Sequence, residues 1–439
     1  MAIRHRTAMI VVAIAALLFL ALIFIGPALI NVDRYRPQVI SYLQEKTGMQ
    51  FEIGRLRLTF SPMSIHIENL GVKNPPIFPP GYIVQVARID AELSMGALLR
   101  RQVVIKSLVL EGLVMNLTSD PDGPWNFENP GAKKRPNSFL VEVIPLVKIK
   151  RGHVLVSNLL PSDAAGPVFF EAREVSSEIK NVNVDAIANP ASTTLDGQGT
   201  LKAALLRFGS IEATNLSSNI GLQARQVLFT EVKAETYGGY TRGELSIKLS
   251  GKNASFKTDA RMKRIDVAHL LSAFQNARGK MTGKMDGELK ITGEIEHSPH
   301  PLEKLHGTGH LTVRDGQVPS LKLNANLMKL VHYNDLGPAK DDPSSFNFVS
   351  TDLELDHERI SSRVIDIDGY GVDVDGSGSV GISGSDELNY KGVAEIVFKQ
   401  GFVTNLFARL AGGTLKDGKL SFPFHIGGTI DNPVFAKGE

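Results

Sequence analysis

Along most of this chain, apolar and polar side chains alternate with a period of two. In Tyr240–Ser250, Leu245, Ile247 and Leu249 share one parity, and Arg242, Glu244, Ser246 and Lys248 share the other. Met285–Thr292 sets Met285, Leu289 and Ile291 against Asp286, Glu288, Lys290 and Thr292. Gly307–Val313 sets Leu311 and Val313 against His310 and Thr312. Tyr370–Ser383 sets Val372, Val374, Val380 and Ile382 against Asp373, Asp375, Ser377 and Ser379. Leu420, Phe422, Phe424 and Ile426 repeat the pattern near the end. Such alternation predicts strands with one wet and one dry face, the mark of an antiparallel sheet.

The first third reads the same way. Met49–Ile53, Arg55–Phe60 and Ser64–Glu68 alternate, with a turn at Ser61-Pro62 and a loop over Pro75–Pro80. Tyr82–Met95 holds one or two strands and Gln102–Leu117 two more, before a turn-rich loop at Asp120–Trp125 and a polar stretch through Ser138. The whole count comes to roughly 20 strands, and at about 4.8 Å per strand one stack reaches on the order of 100 Å.

Helical periodicity is rare. Tyr35, Val39, Tyr42, Leu43 and Lys46 mark one face of a short helix, with Pro37 in its first turn and Gly48 at its end. This helix is expected at a bilayer surface, as a plug at the start of the sheet, or simply packed on it. Asp266 caps a second helix bearing Val267, Leu270, Leu271 and Phe274. Leu323, Leu327, Leu330 and Val331 mark a third, and Phe402, Val403, Leu406, Phe407 and Leu410 a fourth.

One stretch belongs to neither pattern. Ala8–Ile30 carries no charge and is almost wholly aliphatic. At about 1.5 Å per helical residue it reaches roughly 35 Å, enough to cross about 30 Å of hydrocarbon. Arg4, His5 and Arg6 precede it on a short tail, which predicts a cytoplasmic start and an exported body. A cleaved signal peptide would have a shorter apolar core and a small-x-small site, unlike Ile25–Ile30. The fold expected is therefore mainly β: a single N-terminal transmembrane helix, then a long, curled antiparallel β-sheet with a few short helices. The expected divisions are 1–30 (tail and anchor), 31–138, 139–300 and 301–439.

Composition narrows the chemistry. Among 439 residues, Lys and Arg number 48 against 46 Asp and Glu, giving no case for nucleic acid as a partner. The absence of cysteine excludes disulfides, thiolate metal sites and a cysteine nucleophile. Asp366, Asp368, Asp373 and Asp375 suggest calcium, but Tyr370 and Ser377 stand where an EF-hand loop needs further ligands. His297, His300, His306 and His310 form the densest histidine group, without the tight spacing of a zinc site. No nucleophile elbow or phosphate loop lies between a strand and a helix. The expectation is no enzyme, no cofactor and no metal.

What the dry face is for stays open between two readings. A packed sandwich would fill it as an ordinary core. A groove would leave it open for aliphatic chains, and glycines on the apolar parity, such as Gly243, Gly287, Gly307, Gly309, Gly376 and Gly378, are expected to leave room. The wall of such a groove would include Leu245, Ile247, Leu249, Leu289, Ile291, Leu311, Val313, Val372, Val374, Val380 and Ile382.

Asp33-Arg-Tyr-Arg-Pro37, Glu45-Lys-Thr-Gly48, Ile53-Gly-Arg-Leu-Arg-Leu58, Ser61-Pro62, Val86–Leu93 and Val103–Leu113 follow the apolar stretch in that order. Gly307–Gly316, Ile365–Gly371, Phe422–Thr429 and Asp431–Pro433 mark the C-terminal third. Together they resemble the AsmA family of bacterial envelope proteins at both ends, and only poorly over residues 140–260. An Asn-Trp motif of that family has an approximate counterpart in Gly123-Pro-Trp-Asn126. The resemblance implies a periplasmic body anchored in the inner membrane, with a hydrophobic groove similar to that of eukaryotic bridge-like lipid transfer proteins. It implies binding of membrane phospholipid and its transfer between membranes, or support of outer-membrane assembly, with a periplasmic or outer-membrane protein as a further partner. The alternative is a packed scaffold or assembly factor without lipid cargo. The resemblance supplies no catalytic residues.

Overall fold

A computed structural model describes residues 31–100, 102–120, 125–127, 143–159, 165–183, 195–223, 226–250, 253–274, 277–295, 305–331, 344–356, 359–381, 387–397, 412–429 and 431–438. The apolar stretch 8–30, the fourth anticipated helix and Ile382 lie outside these residues. Among the described residues no helix is long and apolar enough to cross a membrane.

The period-two segments become strands, and among the described residues 20 strands form one large sheet that does not close on itself. The expectation of a wholly antiparallel sheet fails at one place. β4 (Ile105–Ser119) and β5 (Val143–Leu159) pair in parallel, so the sheet is mixed. The cause is the long Pro- and Gly-rich connection over 120–142. A parallel neighbour needs a crossover of a dozen or more residues, where a hairpin needs two. Several adjacent short patterns also merge. The Phe51–Ile53 part of the first pattern joins Arg55–Phe60 in a single β1 (Phe51–Phe60), leaving Met49 and Gln50 before it; Tyr82–Leu93 is one strand, β3, and β4 is continuous.

The chain divides into two compact units, residues 1–209 with 217–227, and 210–216 with 228–439. In the first, β1 pairs with β2 (Met63–Lys73), which pairs with β3, then β4, β5 and β6 (Ala165–Asn183). Val86, Ile89 and Leu113 form its buried centre, with Leu70, Leu110, Met115 and Ile149 against them. Val86 and Ile89 share that centre although their parities differ. Asn69 (φ 55°) and Gly112 (φ 64°) interrupt the neighbouring strands at this level, so the alternation restarts one residue later.

α1 (Arg36–Thr47) follows a single 3₁₀ turn, Val32–Tyr35, and ends at Gly48 in the left-handed region (φ 73°). It lies against the free edge of β1. Asp33 accepts from the Leu56 N–H at 2.9 Å, and the Arg36 guanidinium donates to the Ile53 and Gly54 carbonyls. These bonds use backbone groups that an open edge would otherwise present to another chain. The side chains turned inward are Val39, Ile40 and Leu43, whereas Tyr35 and Tyr42 are exposed, so the anticipated tyrosine-bearing stripe is rotated.

In the second unit, β10 (Gly239–Ser250), β11 (Asn253–Asp266), β12 (Thr282–Ile295), β13 (His306–Gln317), β14 (Ser345–Asp356), β15 (Arg359–Gly369), β16 (Val372–Gly381) and β17 (Leu388–Val397) pair in sequence order, all antiparallel. β19 (Lys419–Gly428) then joins β17, and β20 (Pro433–Lys437) joins β19.

Two short helices interrupt this meander where the sequence places them, although the first ends at Ser272 and leaves the anticipated Phe274 beyond it and exposed. α3 (Val267–Ser272) starts at Asp266, whose carboxylate accepts from the His269 N–H at 2.9 Å. α4 (Leu323–Leu330) follows β13, and the Ser344 Oγ accepts the N–H of Leu323. Their apolar stripes seek cover and find the dry face of the sheet. Leu323, Leu327 and Val331 pack on Val372, Val374, Ala394, Ile396, Leu420 and Phe422, while Val267, Leu270 and Leu271 pack on Ile265, Met285, Val313 and Phe346. Fully burying each such aliphatic contributes about 1.5–3 kcal/mol.

Candidate functional site: a half-sealed apolar face

The strand register assembles one continuous apolar surface from residues far apart in the sequence. Ile247 lies opposite Phe256, Leu245 opposite Thr258, and Thr258 opposite Ile291. Leu289 faces Gly309, Gly287 faces Leu311, and Val313 faces Val349. Ile365 and Ile367 continue from Thr351 and Val349, and Val374 and Val380 from Ile367 and Ile360. Over the described residues of β10 to β16 this parity carries no charged side chain. Its polar exceptions include Thr351 and Ser362, whose hydroxyls bond one another at 2.7 Å and so spare each other an unpaired burial.

The anticipated wall residues fall into two groups. Val313, Val372 and Val374 are buried, at 7%, 1% and 4% exposure, beneath α3 and α4. Leu245, Ile247, Leu289, Ile291, Leu311 and Val380 are only half-buried. Leu249 lies on β10, but its side chain is outside the described ones, as is all of Ile382. The division runs along single strands. On β12, Met285 is buried while Leu289 and Ile291 are not, and on β13, Val313 is buried while Leu311 is not. Leu353, Leu355 and Ile360 extend the half-buried part and were not among the anticipated residues. The signal was available, since Asp352-Leu-Glu-Leu-Asp356 alternates strictly.

The glycines do not leave the empty space expected of them. Gly287 is overlain by Leu311 and Gly309 by Leu289, and a side chain at Gly287 would stand 2.7 Å from the His310 carbonyl. Tyr390 covers Gly378 in the same way. Each glycine is the small half of a small–large cross-strand pair, so the large residue lies flat along the sheet. The surface is smooth rather than pitted.

The opposite face is a ladder of charges. Arg261 pairs with Glu288 at 3.1 Å, His306 with Asp356 at 2.6 Å, and His310 with Asp352 at 2.8 Å. Asp366 faces Asp375 and Asp368 faces Asp373 on this side, which puts all four aspartates on the wet face. Partial burial first, and then the Asp375 carboxylate opposite, push the Asp366 carboxyl above its ordinary range. At the sealed end the Lys284 ammonium, 2.8 Å from Asp266, and then the His269 N–H hold that carboxyl below its ordinary range. Among the described residues no three His, Cys, Asp or Glu side chains gather to hold a metal.

In the first unit, Thr59, His66 and Asp90 form a hydrogen-bonded chain of 3.0 and 2.5 Å. His66 and Asp90 are direct cross-strand partners, so the register alone accounts for the chain. The described residues give no positive sign of catalysis. The Trp125-Asn126 pair is structural. Asn126 is fully buried, accepts from the Thr118 N–H and donates to the Asn116 carbonyl and Asn74 Oδ1, which ties the end of β4 to the loop after β2.

A large, open, mixed sheet with few short helices, whose β10 to β16 carry one charged and one apolar face, defines a mainly β protein. The AsmA family model matches residues 4–154 and 173–364, most of the chain, and the protein belongs to that family. The match runs through the middle of the chain, where the resemblance was weak, and ends before the signatures at Ile365–Gly371 and Phe422–Pro433. No curated protein matches the chain.

Proposed function

We propose that this protein binds membrane phospholipid on the dry face of β10 to β16, anchored in the inner membrane by residues 8–30 with its body in the periplasm. In this reading it helps move phospholipid between membranes and so maintains the outer membrane. The observation that carries the reading is the half-buried group Leu245, Ile247, Leu289, Ile291, Leu311 and Val380, which forms an uncharged aliphatic surface beside an end that two helices have closed. Acyl chains would lie over Leu289, Ile291 and Leu311, replacing water on that surface. The headgroup would stay at the margin, because the face offers no charge to pair it. The sealed end would stop the chains from sliding further.

A second reading has its own support. The clusters around Leu327 and Ile265 are ordinary packed cores, as a scaffold would have throughout. Native mass spectrometry of the full chain, extracted from a bacterial envelope, separates the two. Bound phospholipid that is lost in an Ile291→Ser, Leu311→Ser variant of unchanged fold supports the lipid reading. A folded chain free of lipid that takes up no labelled phospholipid contradicts it and leaves the scaffold.

A further inference from the structure

The connection between β3 and β4, Ser94–Val104, presents apolar side chains to solvent in an unusual concentration. Leu99 is 82% exposed, with Met95 and Val103 at 44% and Val104 at 39%. Isolated exposed hydrophobics are ordinary, but four within one tip are a patch. The tip is not loose. Ser94 N–H donates to the Val104 carbonyl at 2.9 Å, closing its base. α2 (Met95–Leu99) is capped by Ser94 Oγ, which accepts from the Ala97 N–H. Ala97 is buried at 4% and pins the turn from inside. Met95 and Leu99 stand four residues apart, on one side of that turn and away from Ala97. Arg100 beside them is exposed and Arg101 follows it in the sequence, while Lys106, the second residue of β4, pairs with Glu92 at 3.5 Å.

Two observations point to a lipid surface as the occupant. The first is charge: the apolar tip carries the exposed Arg100, with Arg101 next in the sequence, and this complements anionic headgroups over a hydrocarbon layer. The second is where the undescribed chain ends. Asp33 is tied to Leu56 and Arg36 to Ile53, so the chain runs toward the Phe51 end of β1 and Asn31 lies on the Phe60 side. Phe60 turns into Met63 at that same end, where β3 finishes at Leu93 and β4 starts beside it at Ile105. Leu56 stands four residues from Phe60, about 13 Å along a strand. Asn31, which follows the apolar stretch in the sequence, therefore lies toward the end of the sheet that carries the tip.

We infer that Ser94–Val104 inserts into the surface of the bilayer that holds the N-terminal stretch, with Met95 and Leu99 among the acyl chains and Arg100 at the phosphates. This rests on the anchorage proposed above. It adds a second contact, which fixes the orientation of the first unit on the membrane.

The chain has no cysteine, so Leu99→Cys carries a single environment-sensitive fluorophore. The full-length variant is placed in vesicles of phosphatidylethanolamine and phosphatidylglycerol containing brominated acyl chains. Ile77→Cys, at a 52% exposed position in the loop at the opposite end of β2 and β3, is the control. The expected result is a blue-shifted Leu99 probe quenched several-fold more strongly than the Ile77 probe. Replacing phosphatidylglycerol by phosphatidylcholine should reduce that difference. Protein that floats with the vesicles while its Leu99 probe stays aqueous overturns the inference alone and points to a protein partner for the tip. Protein that does not float with the vesicles overturns both the inference and the anchorage.

Discussion

Two stretches of the same strands behave differently. On β12, Met285 is buried and Ile291 is half-buried, and on β16, Val372 is buried and Val380 is half-buried. On both strands apolar residues or glycines alternate with polar ones at both ends. The difference lies outside the strands, in α3 and α4, which lay Val267, Leu270, Leu323, Leu327 and Val331 over one end and nothing described over the other. A sheet with one dry face specifies that something apolar must cover it. Whether that cover is the chain's own helix or a ligand is decided by a few residues in the connections.

The sharpest way to break this comparison is at its most buried helix residue. Leu327 is fully buried, and Leu327→Ala is expected to cost about 2–5 kcal/mol through the cavity it leaves. Ile291→Ala, at the open end, is expected to cost about 1 kcal/mol or less. Urea melts of the two variants check this, and equal losses would mean that both ends are core. Gly287→Val comes next. Its side chain meets Leu311 and the His310 carbonyl, so it is expected to destabilise the sheet by about 1–3 kcal/mol rather than block a hole. Thermal melts would show the loss, and an unchanged melt would mean the glycine does leave free space.

Asp266→Ala removes both the cap of α3 and the partner of Lys284, for an expected loss of about 1 kcal/mol. Because the folded-state pKa of Asp266 is depressed, its contribution is present above the ordinary carboxylate range and is lost as pH falls through the lowered value. Acid should therefore loosen α3 in the natural protein and leave the variant less affected, read as hydrogen exchange at Leu270 and Leu271. The smallest expected effect has the opposite sign. The pKa of Asp366 is raised, so its carboxylate weakens the fold at neutral pH and the penalty is relieved as pH falls toward the raised value. Asp366→Asn should stabilise by a few tenths of a kcal/mol at neutral pH and by nothing in acid, as seen in paired melts.

Most of the architecture could be read from side-chain parity. The strands of the second unit, the cap at Asp266, the stripe of α4 and the end of α1 at Gly48 all follow from local patterns, because each depends on neighbours within a few residues. The parallel pairing of β4 with β5 was not readable. It depends on where a long connection returns, which no local pattern records. The rotation of α1 escaped for a related reason, since Arg36 and Asp33 turn toward the β1 edge for hydrogen bonds that hydrophobic spacing does not show. The division of the dry face was hidden too. Val313 and Leu311 are equivalent in the sequence, and only the placement of α3 and α4 tells them apart. Leu353 and Leu355 needed nothing beyond the alternation already used elsewhere.

The most direct test puts a photo-crosslinking amino acid at Ile291 in the full chain, in a bacterial envelope, with Lys290 on the wet face as its neighbour control. The account predicts phospholipid adducts from position 291 and none from position 290. An envelope in which position 291 yields no lipid adduct, in a chain that is folded and anchored, would contradict it.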